Sequence, residues 1–450
     1  MKAAYLQEQA RDLPVIHETD ILVVGGSCTG VFAAVRAARL GARAAIVEKQ
    51  NCFGGVATAG LVNIWHSPFD EGQKRKIIAG LTEEIIGRLD RRDAVHHSAH
   101  PVDAFRLNTE ELKIELDELI TEHRVEPFLH TMFCAPILKD GALIGVAVEN
   151  KSGRGAILAK VFIDASGDGD LARRSGCAMV AAGTLQPPTT CAKYLGMQSL
   201  MDWDWKKAVD EHGPEFGLEP DWGWGCAIPG LQGMEMHADT HVFNADLSKG
   251  DVLTHSEIEG RRKVRAVLDV FRKYGPAHSH VALAQLAQTI GARETDRVQA
   301  QHTISGDDVL LGRLFPDAIA LGSYRVDIHH EDKPGTTFRY LNGVEVVNQG
   351  RAAPPKIGRW RPETDTNPTF YSIPLRSLVQ EKIPNLMLAG RMLDADKVAY
   401  SAVRVMVNLN QTGEAAGVAA YLALQGGTPV QKLDAQAVRR EMAKGGSIVE

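Results

Sequence analysis

The stretch ILVVGGSCTGVFAAVRAARLGARAAIVEK at residues 21–49 restricts the fold more than any other part of this sequence. A short apolar run leads into a glycine-containing turn, an alanine-rich segment and a second apolar run. This order predicts a strand over residues 20–24, a helix over 31–40 and a second strand over 44–48. Two strands joined through a helix in this way are parallel, and their crossover is right-handed. The segment therefore predicts the start of a parallel α/β sheet.

The turn between the first strand and the helix has the spacing of a phosphate-binding loop with one replacement. Gly25 and Gly30 take the first and third positions of a G-x-G-x-x-G turn, and Ser27 takes the second. The first glycine permits the tight turn, the second lets backbone approach a pyrophosphate, and the third lets helix and strand pack closely. Serine is small and its hydroxyl can donate to a phosphate oxygen, while Ala34 keeps the helix near the sheet. The helix N-terminus adds free N–H groups and partial positive charge, so the turn predicts a dinucleotide site.

The residues that follow this unit indicate which dinucleotide binds. Glu48 ends the second strand, where a carboxylate accepts hydrogen bonds from ribose hydroxyls and repels a 2′-phosphate. The segment EKQNCFGGVATAGLV (48–62) then supplies Gly54, Gly55, Thr58 and Gly60. An NAD dehydrogenase needs no second glycine-rich loop here, whereas FAD requires flat backbone beside its isoalloxazine ring and ribityl chain. The segment favours FAD, and the alternative is a loop with spare glycines.

Two later segments also have the character of ligand-binding strand ends. FIDASGDGDLARRSG (162–176) is a strand followed by glycines, and residues 385–424 form a strand, a turn and a Gly/Ala-rich helix. Glycines at the carboxyl end of a strand, beside the first βα turn, lie where an open α/β sheet binds its ligand. The later strand leads into Gly390 and Arg391, and Asp394 is placed to meet the ribityl chain or the pyrophosphate.

The middle of the chain differs in composition from both ends. Tryptophans cluster among glycines and prolines there, at Trp203, Trp205, Trp222 and Trp224. We expect an α/β fold in which a Rossmann-like FAD-binding domain with a βαβ, mostly parallel sheet carries an inserted mixed α+β substrate domain. The expected bounds are 15–185 and 371–430 for the FAD-binding domain and 186–370 for the substrate or cap domain. Periodicity further predicts helices at 77–89, 112–120 and 256–274, strands at 127–135, 142–149 and 156–164, and a hairpin turn at 139–141.

Taken together, these pieces resemble FAD-dependent oxidoreductases whose nucleotide domain is like that of glutathione reductase. More narrowly, they resemble a bacterial family with the motifs G-G-x-x-x-G, E-K, G-G-x-x-T-x-G, D-A-S-G-D-G-D and A-G-R. Residues 290–330 are similar to that family's R-E-T-R-R-I and D-A-I-A…D-I-H run, and YSIPLRSLV (371–379) resembles its Y-x-I-P-x-R-S-L segment. The chain departs from the pattern at Ser27 and at Asp296, where the family usually has arginine.

The motifs and the resemblance imply FAD as cofactor and a defined set of contacts with it, and no metal. The residues expected to contact FAD are Gly25, Gly26, Ser27, Cys28, Thr29, Gly30, Glu48, Lys49, Gly54, Gly55, Thr58, Ala59, Gly60, Phe133, Ala165, Ser166, Gly167, Gly390, Arg391, Asp394, Val405, Met406 and Asn408.

Three residues are predicted to act in catalysis. His329 matches the histidine of the family's D-I-H run and is the expected base, tuned by Asp327 or His330; the alternative is a structural histidine. Arg404, with the backbone of 406–408, is expected to face the pyrimidine edge of the flavin, or else to be a surface cation. Arg293 is either a substrate clamp or part of a buried ion pair with Glu294.

Other candidates have a simpler interpretation. Tyr400 is expected to pack rather than bind substrate. His237 and His241 have the spacing of metal ligands on a helix, but HADTHVF is typical of a strand. His66 could tether the flavin covalently. The tryptophan cluster could floor an aromatic or sugar pocket, although core packing is the expected role.

These observations predict an enzyme that transfers a hydride from a small organic substrate to flavin N5, with an unspecified electron acceptor. The alternatives are a flavin monooxygenase and a non-catalytic FAD-holding component of a complex. The net charge of -6 argues against a nucleic-acid partner. No apolar run approaches the ~20 residues of a membrane helix, and the first residues lack a signal-peptide core, so we expect a cytoplasmic protein. A homo-oligomer is left open.

Overall fold

The computed structural model describes residues 6–98, 104–181 and 183–450. Its α-helices are α1 (Cys28–Arg39), α2 (Leu81–Asp90), α3 (Thr109–Glu122), α4 (Asp170–Arg174), α5 (Trp205–His212), α6 (Gly250–Tyr274), α7 (Gly306–Leu310), α8 (Lys397–Val403), α9 (Met406–Gly426) and α10 (Ala435–Lys444). Its strands are β1 (Val15–Glu18), β2 (Ile21–Val24), β3 (Ala44–Val47), β4 (Ile64–Trp65), β5 (Val95–His97), β6 (Phe105–Leu107), β7 (Glu126–Phe128), β8 (Met132–Lys139), β9 (Ala142–Asn150), β10 (Gly153–Leu158), β11 (Val161–Asp164), β12 (Met179–Val180), β13 (Ala192–Leu195), β14 (Trp224–Ala227), β15 (Met234–Ala238), β16 (Ala282–Leu286), β17 (Arg297–Val298), β18 (Ala318–Gly322), β19 (Val326–His329), β20 (Thr336–Arg339), β21 (Val344–Asn348), β22 (Lys356–Arg359), β23 (Tyr371–Pro374) and β24 (Leu386–Leu388).

A five-stranded parallel sheet in the order β24–β11–β2–β3–β7 lies at the centre of the fold. Its strands β2, β3, β11 and β24 are buried along their whole length, as expected for a sheet covered on both faces. Phe162 of β11 pairs with Leu22 on one side and Leu386 on the other. Two ends of the chain that are far apart in sequence therefore build one sheet, which confirms the predicted Rossmann-like α/β fold.

Helices α1 and α9 pack against each other at unusually short range. A Cβ built on Gly413 would lie 2.2 Å from the carbonyl oxygen of Thr29, and one on Gly417 would lie 2.3 Å from that of Ala33. Glycine removes this obstacle, so α9 lies backbone against backbone on α1. The contact fixes the N-terminal turn of α1 relative to the C-terminal part of the chain.

A second sheet, ordered β1–β10–β9–β8, adjoins the central one. The predicted hairpin at 139–141 joins β8 to β9, and Asp140 and Gly141 both have positive φ, at 50° and 80°. Positive φ at two central turn residues matches the right-handed twist of the two strands. The hairpin prediction is confirmed.

Three predicted elements have different bounds in the structure. The helix expected over 77–89 begins only at Leu81, because Gly80 has φ 68° and ψ -138°, outside the helical region. The strand expected over 127–135 is interrupted between β7 and β8, where His130 has φ 49°. The strand expected over 156–164 is two strands, since β10 and β11 belong to different sheets.

Residues 186–370 contribute most of the remaining sheets. β14–β15–β13–β16 and β19–β20–β21–β22 are antiparallel, and the 25-residue helix α6 packs beside the first of them. β18 pairs with β23, so residues 318–322 and 371–374 form hydrogen bonds across the boundary expected at residue 370. Within the described ranges no helix combines the length and apolarity needed to cross a bilayer.

Candidate functional site

A cavity of about 610 Å³ opens at the carboxyl ends of the central strands. Its walls come from residues 25–66, from 165–168, from 390–391 and 404–410, and from several segments between 189 and 346. This volume is within the usual range for small-molecule sites. The cavity therefore joins the predicted nucleotide cleft to a chamber formed by the middle of the chain.

The turn after β2 has the geometry of a phosphate-binding loop despite its missing glycine. Gly25 has φ 107°, and a Cβ there would lie 2.3 Å from the carbonyl oxygen of Ala165, so only glycine fits. Gly30 is equally constrained, because its Cβ would lie 1.9 Å from the Gly25 oxygen. Ser27 is the N-cap of α1, and its Oγ accepts a hydrogen bond from the Gly30 N–H at 3.4 Å. The replacement thus caps the helix, and its hydroxyl hydrogen stays available for a ligand.

Glu48 is fixed at the tip of β3 by two backbone donors. Its carboxylate accepts hydrogen bonds from Gly26 N–H at 2.6 Å and from Gln50 N–H at 2.8 Å. The residue is buried and lines the cavity. Each carboxylate oxygen keeps a lone pair beyond these bonds, which is what binding a ribose diol requires.

The second glycine-rich loop lies directly on the first. Gly54 N–H donates to Gly26 O at 2.8 Å, and Gly54 and Gly55 have φ of 106° and 58°. Gly54, Gly55, Ala59 and Gly60 line the cavity, and Val56 lines it beside them. Backbone of this kind can lie beside a flat ring.

At the other side of the cavity, α9 begins at Met406 without a side-chain cap. Arg404, Val405 and Met406 line the wall there. The N–H groups of the first helical residues have no partner within the helix, and the helix dipole adds positive charge at this end. This end of α9 suits the electron-rich edge of a flavin.

An ion pair that sequence reasoning missed lies between the two sides. Asp168 lines the cavity and is 2.5 Å from an Arg391 nitrogen, and Thr295 bonds both residues, at 2.8 Å and 2.9 Å. Burial acts to raise the pKa of Asp168, but the charge of Arg391 and the two hydrogen bonds outweigh it, so the pKa is lowered. The D-A-S-G-D-G-D motif contained the signal, since Asp168 is its second carboxylate.

Six predicted FAD contacts lie outside the cavity lining: Gly26, Gly30, Thr58, Phe133, Asp394 and Asn408. The two glycines shape the loop through backbone alone, as described above.

The other four residues, Thr58, Phe133, Asp394 and Asn408, have contacts outside the cavity lining. Thr58 Oγ1 donates to Phe53 O at 2.6 Å, and Asp394 accepts from Ala300 N–H at 2.9 Å. Asn408 donates to the hydroxyl of Tyr371, and Phe133 packs in the core beside the central sheet. Asp394 thus lies outside the cavity lining, and its contact with the ligand stays a prediction. The other predicted contacts do line the cavity: Gly25, Ser27, Cys28, Thr29, Glu48, Lys49, Gly54, Gly55, Ala59, Gly60, Ala165, Ser166, Gly167, Gly390, Arg391, Val405 and Met406.

The three residues predicted for catalysis, His329, Arg293 and Arg404, line the same cavity. His329 ends β19 and is 4% exposed. Arg404 donates to Asp327 O at 3.1 Å and Gln186 Oε1 at 3.3 Å, so its guanidinium is directed toward β19 rather than standing free at the surface.

His329 belongs to a chain of four side chains, of which its contact with Asp327 was predicted and its links to His241 and Asp221 were not. His241 Nδ1 is 2.8 Å from Asp221 Oδ1, and His241 Nε2 is 3.0 Å from His329 Nδ1. His329 Nε2 is 3.4 Å from Asp327 Oδ1, whose other oxygen accepts from Tyr324 at 2.8 Å. The chain is thus closed by a carboxylate at each end.

The other candidate residues form hydrogen bonds or ion pairs with neighbouring protein groups. Glu294 pairs with Arg297, not with Arg293, and Tyr400 donates its hydroxyl to Arg293 O at 3.1 Å. His237 is bonded to Asp239 and Glu235 on β15. No group of three metal-ligating side chains occurs in the described part of the chain.

Two of the four clustered tryptophans, Trp222 and Trp224, line the cavity with His66, whose ring is 4.1 Å from that of Tyr324. Trp203 and Trp205 pack instead against Phe271 of α6. The cluster therefore divides between site and core.

The residues present fit FAD. Three features lie in one cavity. At Gly25 the backbone leaves no room for a Cβ, at Glu48 a carboxylate is held by two backbone N–H groups, and α9 begins without a side-chain cap. They match in turn the pyrophosphate, the ribose and the flavin edge.

A comparison with protein families agrees with this fit. The family model for FAD dependent oxidoreductase matches residues 20–442. A geranylgeranyl bacteriochlorophyll reductase-like protein of Thermoplasma acidophilum has 13% identity and a TM-score of 0.47, over 95% of this chain and 83% of that one. The p-nitrophenol 4-monooxygenase of Pseudomonas putida has 11% identity and a TM-score of 0.45, over 95% and 86%. L-proline dehydrogenase from P. horikoshii has 9% identity and a TM-score of 0.41, over 96% and 99%. No curated protein matches the sequence significantly. Because the family model spans nearly the whole chain, the protein belongs to the FAD-dependent oxidoreductases and is an enzyme that uses FAD.

Proposed function

We propose that this enzyme oxidises a small organic molecule by removing a hydride from a C–H bond while His329 accepts the accompanying proton. Bound FAD supplies the two-electron acceptor, at N5 of its ring system. The observation that carries the proposal is the position of His329: it lines the cavity, and its Nδ1 is bonded to His241 in a way that leaves Nε2 free of a proton.

The proton positions follow from the partners along this chain. Burial acts to raise the pKa of Asp221, but hydrogen bonds from His241 Nδ1 and the Trp222 N–H and the charge of Arg351 favour its ionised form, so the pKa is lowered and this carboxylate can only accept. His241 Nδ1 must then carry a proton, and its Nε2 accepts from His329 Nδ1. A neutral His329 with its proton on Nδ1 has a lone pair on Nε2. Asp221 and His241 therefore fix the tautomer that makes His329 a base at Nε2.

The electrostatics keep that base neutral in the resting enzyme. Burial lowers the pKa of His329 well below its usual value, the nearby Arg293 cation lowers it further, and Asp327 opposes both. Burial acts to raise the pKa of Asp327, but the charges of Arg404 and Arg325 favour its ionised form, and the pKa lies well below its usual range. Once Nε2 takes up a proton, it faces an ionised carboxylate at 3.4 Å, which stabilises the imidazolium.

The other residues bind and orient. Ser27, Glu48 and the Asp168–Arg391 pair would hold the nucleotide, and the start of α9 would place positive potential against the flavin edge. Arg404 bonds the backbone of Asp327 and so fixes the strand that carries His329.

The test is anaerobic flavin bleaching with a panel of small organic donors, in the wild type, in His329→Gln and in a control. His330→Gln is the matched control, because His330 bonds Thr337 and Pro334 and lies outside the cavity lining. We expect bleaching by a donor in the wild type and in His330→Gln, and a rate lower by about 10²- to 10⁴-fold in His329→Gln. Bleaching by NADH or NADPH alone, with no response to any donor, would support the monooxygenase alternative and refute the proposal. Failure of every donor and nicotinamide would also refute it, in favour of a non-catalytic component.

A further inference from the structure

Arg293 is a cation at the cavity wall without an acidic partner. Its Nη1 donates to Pro187 O at 2.6 Å and to Thr189 Oγ1 at 2.7 Å. Both acceptors are neutral, and among the described residues no carboxylate oxygen lies within 4.0 Å of this guanidinium. Its Nε and Nη2 make no hydrogen bond to described residues, and the residue lines the cavity.

The neighbouring arginines differ in this respect. Arg391 is paired with Asp168, and Arg404 is 3.6 Å from Asp327 Oδ2. Asp327 does not form an ion pair with Arg293, because its carboxylate oxygens face Tyr324, Arg404 and His329. A charge removed from water is normally paired or bound to a ligand, because leaving it unpaired is strongly destabilising.

Arg293 and Arg404 are also close enough to repel each other. Burial lowers the pKa of Arg293 to about 10, and the charge of Arg404 is the next largest cause. This part of the chamber therefore holds three guanidinium cations, Arg293, Arg404 and Arg325, against the carboxylates of Asp327 and Asp221, and His329 beside them is neutral. An anion is the ligand that this arrangement lacks.

We infer that the substrate is a small carboxylic acid whose carboxylate pairs with Nε and Nη2 of Arg293. Two adjacent N–H groups of one guanidinium match the two oxygens of a carboxylate. The rest of the molecule would lie against Trp222, Trp224 and Phe338, which line the same space. The inference rests on the proposed function, because it assigns the substrate class of that chamber.

The experiment measures binding to the FAD-loaded protein under nitrogen, by quenching of tryptophan fluorescence and by perturbation of the flavin absorbance. The probes are benzoate and phenylacetate, with benzamide and phenylacetamide as uncharged analogues. We expect the wild type to bind the carboxylates more tightly than the amides. In Arg293→Met the carboxylate affinity falls about 10- to 100-fold while the amide affinity is unchanged.

Two further variants keep the result interpretable. Arg293→Lys retains a positive charge without the planar fork and should keep part of the carboxylate preference. Arg262→Met is the control, because this α6 arginine has a side chain 71% exposed and should bind like the wild type. Equal affinity for acids and amides in the wild type would overturn the inference. An equal loss of both probes in Arg293→Met would also overturn it, because it would show that Arg293 only supports the 187–189 segment.

The proposed oxidation and the proposed substrate class can be refuted separately. If carboxylates bind and depend on Arg293, but no carboxylic acid bleaches the flavin, the proposed oxidation is refuted and the anion site is supported. His329-dependent bleaching by an uncharged donor, together with no carboxylate preference, would keep the oxidation and remove the substrate class.

Discussion

Replacing Gly413 by alanine tests how the two ends of the chain are held together. The added Cβ would lie 2.2 Å from the Thr29 oxygen, whereas ordinary contact begins near 3.4 Å, so α1 and α9 must separate by about 1.2 Å or distort. Overpacking of this kind costs about 1–3 kcal/mol, and more where backbone is the obstacle. Alanine gains about 1 kcal/mol over glycine in helix propensity. We expect a net loss of about 2 kcal/mol.

Gly87→Ala is the matched control. Gly87 also lies inside a helix, α2, and a Cβ there meets no atom within 4 Å, so only the propensity gain of about 1 kcal/mol applies. The two variants should differ by about 3 kcal/mol, and for a chain of 450 residues this is a Tm difference of about 3 °C. Thermal unfolding at one scan rate measures it, with and without added FAD. Because Thr29 lines the cavity, Gly413→Ala should also release FAD more readily. A Gly413→Ala protein that melts at or above Gly87→Ala would refute the close-packing argument.

Three other predictions follow from the site and its support. Glu48→Gln should weaken FAD binding about tenfold, because the amide has one acceptor oxygen whereas the carboxylate accepts from two backbone N–H groups and a ribose. Titration of the apoprotein with FAD measures the affinity, and an unchanged affinity would contradict this prediction. The rate of flavin bleaching should be constant above neutral pH and decline only at a pH below 6.5, because burial and the Arg293 charge lower the pKa of His329. In Arg293→Met this decline should move to higher pH, and a decline that stays at the same pH would contradict the assignment of His329 as the base. Arg36→Met should cost about 1–3 kcal/mol in denaturant unfolding, because it removes the donor that Gly445 O, Met442 O and Ser447 Oγ share. Burial already raises the pKa of Glu414, 3.0 Å from Arg36, to about 7, so this carboxyl takes up a proton when the cation is removed; a loss below about 0.5 kcal/mol would contradict the prediction.

The nucleotide-binding part of the fold could be predicted because its determinants are local. The strand, turn and helix at 21–39 lie in one continuous stretch, in which Gly30 packs against the Gly25 backbone and Ser27 caps the helix. The hairpin at 139–141 was predictable for the same reason. Local turn chemistry is visible in a sequence.

The chamber could not be predicted in this way, because its contacts join distant residues. His241 and His329 are 88 positions apart, and Asp168 meets Arg391 across 223 positions. The direction of a side chain is equally hidden, as with Asp394, whose carboxylate bonds the 300 backbone and lies outside the cavity lining. The split of 156–164 into two sheets likewise depends on partners that only the fold supplies.

The central claim is that separate segments of the chain form one cavity that holds FAD, and the absorbance spectrum of the freshly purified protein tests it most directly. The account predicts a yellow protein that releases FAD in equimolar amount on denaturation and recovers its colour when FAD is returned. A colourless protein that takes up no added FAD, and binds NAD in its place, would contradict it.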